Sequence, residues 1–120
     1  MNTTPLHHVK LPGFKVVARD ELEQAFRPTQ SAYYVLLHCH RTTEAPHEAV
    51  LFVHYLDHFL DACQRQIAAL WAKHRVLITH VAVKVGNELR PSSRDLAGVY
   101  DRAVTVQHLR QKLQPRFRRL

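Results

Sequence analysis

The segment from Pro46 to His74 constrains the fold more than any other part of the chain. Its apolar side chains recur at Ala49, Phe52, Leu56, Phe59, Leu60, Cys63, Ile67, Leu70 and Trp71. This is the three-and-four spacing that lines one face of an amphipathic helix. Asp61 and Arg65 fall one turn apart on the outer side of such a helix. Thr43 stands where a cap belongs, and Pro46 fits the first turn. The spacing predicts one helix over 46–74. That is longer than the usual globular helix, and so it is the spine of the domain.

Shorter elements surround it. "FKVVAR" (14–19) alternates as a strand does, and "DELEQAF" (20–26) reads as a short helix with acid in its first turn, ended by Pro28. "SAYYVLLHCH" (31–40) can start a helix near Thr29, but its length and aromatics favour a buried strand. "VLITHVAVKV" (76–85) is rich in β-branched residues and reads as a strand with Leu77, Val81, Val83 and Val85 on one face. Gly86-Asn87 makes a turn, and Ser92-x-x-Asp95 opens a helical segment over 92–113 in the manner of a capping box. Strand, long helix and strand in succession suggest a crossover unit. The expected fold class is therefore α/β, with α+β as the alternative. A chain of 120 residues that is 46% hydrophobic sustains one domain with one core. Residues 1–13 form an irregular arm of that domain, and residues 90–120 a basic C-terminal segment.

Charge is distributed unevenly. Residues 1–89 hold nine Lys/Arg and eight Asp/Glu, whereas residues 90–120 hold eight Lys/Arg and two Asp/Glu, so nearly all of the net +7 belongs to the last quarter. A basic end beside a neutral body suits a polyanion, nucleic acid first. The start "MNTTPLHHVK" has no apolar core of a secretory signal. The most apolar stretch, "AVLFVHYLDHFLDA", carries two His and two Asp and suits no membrane span. Cys39 and Cys63 sit in apolar runs as reduced thiols. A cytoplasmic protein without a membrane partner is expected.

The C-terminal segment admits two geometries. In one, Leu96, Val99, Ala103, Val106, Leu109 and Leu113 form the stripe of a single helix. In the other, residues 86–113 resemble the helix-turn-helix of GntR-type transcription regulators. Pro91, Ser92, Arg94, Leu96 and Ala97 match the run that opens that family's positioning helix, and Thr105, Val106, Leu109 and Leu113 match its recognition helix. The resemblance implies DNA binding, with Gln107, His108 and Gln111 facing outward, where Gln can pair bidentately with adenine. In either geometry Arg90, Arg94, Arg102, Arg110, Lys112, Arg116, Arg118 and Arg119 are placed to contact phosphates. The expected function is non-catalytic nucleic-acid binding, DNA ahead of RNA, by a small regulator or an accessory subunit of a nucleoprotein complex.

Two other classes compete. A protein–protein subunit would use Phe52, Phe59 or Trp71 to complete a partner's surface, and Tyr33, Tyr34 and Tyr100 can stack on bases or fill the core. A metalloprotein would use His54, His58 and Asp61, which share one face if 46–74 is helical, to hold zinc. A helix whose polar face merely carries these residues needs no cofactor, and none is expected. His38 and His40 of "HCH" share a strand face, with Cys39 on the other. Three glycines leave no Gly-rich phosphate loop, and there is no G-x-S-x-G elbow, so catalysis is not expected.

Overall fold

A computed structural model describes residues 11–41, 46–86 and 96–120. The run at 31–40 is a strand, as its aromatic content predicts. This strand, β2 (Ala32–Arg41), follows β1 (Lys15–Ala18) and precedes β3 (Pro46–Leu56) and β4 (His80–Val85) in the chain. The four strands form one sheet in the order β1-β4-β2-β3, with every neighbouring pair antiparallel. The mixed α and β content is as expected, but no parallel crossover joins the described strands. The arrangement is α+β.

Successive side chains of a strand point to opposite faces, and on β2 both faces are covered. Tyr34 and Leu36 belong to one core, Val35 and Leu37 to the other, and all four are fully buried. The first core is closed by α2 (Phe59–His74) through Phe59, Leu60, Cys63, Ile67 and Leu70, with Leu22 and Phe26 from around the short α1 (Leu22–Ala25). The second is closed by α3 (Leu96–Leu113) through Leu109 and Leu113, with Leu11 and Phe14 packed beside them. The sheet is thus the middle of three layers. Tyr34 also ties the layers by hydrogen bond, its hydroxyl donating to Gln66 Oε1 of α2 at 2.5 Å.

The helix expected over 46–74 is corrected by the structure. Residues 46–56 are strand, Asp57 and His58 turn the chain, and the helix begins only at Phe59. His58 makes the turn in a left-handed conformation with φ of 52°. Pro46, expected in the first turn of the helix, starts the strand instead. Two features hid the strand. Leu36 pairs with Phe52 and Leu37 with Val50, so Leu51 is an extra bulged residue that breaks the two-residue period. Both faces of β3 are also apolar: Leu51 and Phe52 face the first core, Val50 and Val53 the second. An apolar run of this kind has no periodicity that separates strand from buried helix.

The remaining differences are smaller. The segment expected as a helix over 20–26 is a 3₁₀ turn (Arg19–Glu21) followed by α1. The strand expected over 76–85 begins at His80. Before it, Thr79 donates its N–H to Leu37 O at 2.9 Å and accepts from Arg19 N–H at 2.9 Å. Val81 and Val83 share the buried face, but Leu77 and Val85 are exposed. No helix among the described residues is long and apolar enough to cross a membrane.

Burial holds two acids of the first core in their neutral forms. It pushes the Cys63 thiol from 9.0 up to about 12, and it pushes the Tyr34 hydroxyl upward too, helped by the neighbouring Cys63. Both groups therefore ionise more readily in the unfolded chain. The stability they lend is whole below pH 9.0, the thiol's ordinary value, and is lost as pH rises toward 12. In Cys63→Ala the denaturation midpoint should fall less steeply over this alkaline range than in the wild type. Parallel pH profiles of the two proteins would refute this account.

Candidate nucleic-acid interface

The basic segment begins, among the described residues, on α3. Its apolar stripe decides which way the polar side chains point. Val106 is buried, and Leu109 and Leu113 lie on the second core, so Gln107, His108, Gln111 and Lys112 are left exposed on the opposite side. Gln107, His108 and Gln111 are the outward set expected from sequence, and Lys112 joins them. From Leu96 to Leu113 the helix is unbroken, passing through Gly98 and Tyr100. Of the two geometries, the described residues adopt the single helix. Arg90, Arg94 and the capping-box pair Ser92 and Asp95 lie outside the described residues.

Two of the predicted phosphate contacts are spent inside the fold. Arg102 stacks over the Tyr55 ring at 5.3 Å, and Tyr55 in turn packs against Tyr33 with ring centroids 4.7 Å apart. Arg102 Nη2 is buried there without a hydrogen-bond partner among the described residues. Arg110 reaches the exposed edge of β3. Its Nε and Nη2 both donate to the Val53 carbonyl at 3.2 Å, and Nη2 also donates to His54 Nδ1 at 3.2 Å. An edge carbonyl that no described strand pairs is thereby satisfied.

Helix α3 ends at Gln114, which takes a left-handed φ of 50° and donates its N–H to Arg110 O at 2.8 Å. Pro115 follows, as it often does after such a cap. The chain then folds back onto β3 at its bulge. Arg116 N–H donates to Val50 O at 3.0 Å and Phe117 N–H to Leu51 O at 2.9 Å. Phe117 packs against the first core and against the His74 ring, 4.8 Å between centroids. The tail thus passes from the α3 layer around the sheet edge to the α2 layer. Arg116 is exposed and lies over the Phe117 ring at 5.2 Å, and Arg118 and Arg119 are exposed beyond it. The basic end is a docked surface, with Lys112, Arg116, Arg118 and Arg119 as its outward cations.

Sequence reading did not bring together the groups that the tail covers. Phe52, His54, Gln66, Arg110, Arg118, Arg119 and Leu120 line a cleft of about 480 Å³ beside the β3 edge. Burial first, and the Arg110 charge second, hold the His54 imidazole below its ordinary pKa of 6.5. Pro115 after the helix was the available signal for a turned-back tail. Nothing in the sequence placed His54 at a sheet edge.

The rival sites fare differently. His54 lies on β3 and His58 in the turn before α2, so the two are not one helical turn apart as the zinc reading requires. Asp61 pairs with Arg65 at 3.2 Å. Among the described residues no group of three or more His, Cys, Asp or Glu is placed to hold a metal ion. Phe52 (4% exposed) and Phe59 (0%) are core residues, which corrects their assignment to a partner surface, while Trp71 is 49% exposed beneath Arg75. Tyr34 fills the core. His38 Nδ1 lies 2.8 Å from Leu77 O, and Cys63 is a buried thiol of the first core.

Comparison of the chain with protein-family models, with curated proteins and with solved structures finds no match.

His54 offers a test of this edge. Because its folded pKa is depressed, the ring stays neutral in the fold. Its contribution to stability is present above pH 6.5 and is lost as pH falls below that value. In Arg110→Gln the charge is gone but burial remains. The His54 pKa, followed by NMR titration, should rise and still lie below 6.5. An unchanged value would remove Arg110 from the account.

Proposed function

We propose that this protein binds nucleic acid without catalysing a reaction, as a small cytoplasmic regulator or an accessory subunit of a nucleoprotein complex, with DNA ahead of RNA. The observation that carries the reading is the composition of the exposed side chains on α3 and the tail. Beyond Asp101 the outer side of α3 and the docked tail present Gln107, His108, Gln111, Lys112, Arg116, Arg118 and Arg119, with no acidic residue among them. A single helix fits the major groove, where Gln107 and Gln111, four residues apart, sit on one side to meet base edges. The tail arginines then lie where backbone phosphates run, and their contacts release counterions. Arg102, stacked on Tyr55, supports this surface from within, and Arg110 braces it against the β3 edge.

A second reading is favoured by Trp71. Its exposed ring, with Leu77 also exposed a few residues on, suits a protein partner. Such a subunit would copurify with that partner after nuclease treatment and show no salt-sensitive binding to DNA or RNA.

The nucleic-acid reading is tested by fluorescence anisotropy of labelled duplex DNA, single-stranded DNA and RNA across a salt series. Affinity should fall steeply with salt, with a logarithmic slope of about −0.9 per phosphate contacted on duplex DNA. Gln111→Glu with Lys112→Glu and Arg116→Glu should abolish binding, since all three side chains point away from the cores. Affinity unchanged in this variant would exclude the surface. Removing α3 altogether is the wrong control, because it uncovers the second core.

A further inference from the structure

We propose that the cleft beside the β3 edge is a binding site for a phosphate group, the terminal dianion of a phosphate monoester. The site needs no polymer bound on α3. The polarity of its lining carries the argument. Tyr34 donates its hydroxyl hydrogen to Gln66 Oε1, which leaves the Gln66 amide hydrogens as its free polar atoms. Arg110 Nη2 donates to His54 Nδ1, so the neutral ring carries its proton on Nε2. Arg110 spends Nε and Nη2 on Val53 O and His54, and both Nη1 hydrogens remain. Arg118 and Arg119 form no ion pair with a described residue, and among the described residues no Asp or Glu lines the cleft. The polar side-chain atoms left over are donors throughout, three of the groups being guanidiniums.

A lining of this kind wants an acceptor with several oxygens and more than one negative charge. A carboxylate fills one guanidinium fork with its two oxygens. A tetrahedral phosphate presents further oxygens to the second and third forks. The volume exceeds that of the phosphate alone, and Phe52 and Leu120 give it an apolar wall for the organic part of an ester. Two sources share this chemistry: a free phosphate monoester, such as a nucleotide, and the phosphorylated end of an oligonucleotide.

His54 is the reporter. Arg110 of α3, Arg118 and Arg119 of the tail, Gln66 of α2 and Tyr34 of β2 surround it. Burial and the Arg110 charge disfavour its protonation, and a bound dianion offsets that charge. The full chain, with its histidine ring resonances assigned, would be titrated with inorganic phosphate, a nucleoside 5′-monophosphate, and one oligonucleotide with either a 5′-phosphate or a 5′-hydroxyl. The His54 resonances should move with inorganic phosphate and the mononucleotide, and the His54 pKa should rise. Arg118→Gln with Arg119→Gln, both exposed, should weaken this binding about tenfold or more. If the 5′-phosphorylated oligonucleotide moves His54 at concentrations where its hydroxyl twin does not, the nucleic-acid end is a source. If only the small anions act, the ligand is a free ester. Unmoved His54 resonances with all probes would overturn the proposal, as would equal affinity in the double variant. Either result leaves polymer binding through Gln111, Lys112 and Arg116 to its own test.

Discussion

Tyr34 and Val35 are neighbours on β2, yet they face different cores and neither meets solvent. A strand buried on both sides cannot stand without two covers, and the rest of the chain supplies them. Helix α2 closes one side and α3 the other, each bringing an apolar stripe that would be exposed without the sheet. Fully burying side chains of this size is worth about 1.5–3 kcal/mol each, so neither layer is dispensable. The basic segment therefore serves two ends. Its inner stripe completes the fold, and its outer side presents the exposed polar and basic groups because packing has already fixed its direction.

The same two-sided burial explains what the sequence disclosed and what it concealed. The strand at 31–40 was legible from its aromatics and length, and the α3 stripe from its three-and-four spacing, including the outward position of Gln107, His108 and Gln111. Residues 46–56 were not legible. Ala49, Phe52 and Leu56 mimic a helical stripe only because Leu51 is bulged and both faces of β3 are apolar. That one misreading propagated: it turned a β2–β3 hairpin into a crossover and set His54 beside His58. The site was half legible for a related reason. Charge composition reveals that a segment is basic, but whether Arg110 meets solvent or an edge carbonyl depends on a strand that the sequence did not show.

The arginines divide accordingly. Arg102 gives its face to Tyr55 and Arg110 its hydrogens to Val53 and His54, whereas Arg118 and Arg119 keep theirs. Positive charge at this end of the molecule is graded from structural to available over a few residues. A guanidinium held against an edge strand also fixes the tautomer of the histidine beside it. This links the sheet's backbone to the hydrogen-bonding character of the cleft.

The docked tail has one more consequence. Strand β3 is eleven residues long and lies at the border of the sheet. Its outward carbonyls at Val50, Leu51 and Val53 are occupied by Arg116, Phe117 and Arg110. A protease cut between Leu113 and Arg116 would free two of these three places and leave a long border strand open to pairing with another. A second copy of the same nicked chain offers the matching strand. The docked tail thus occupies the border of the sheet, and trimming it would open that border to self-association.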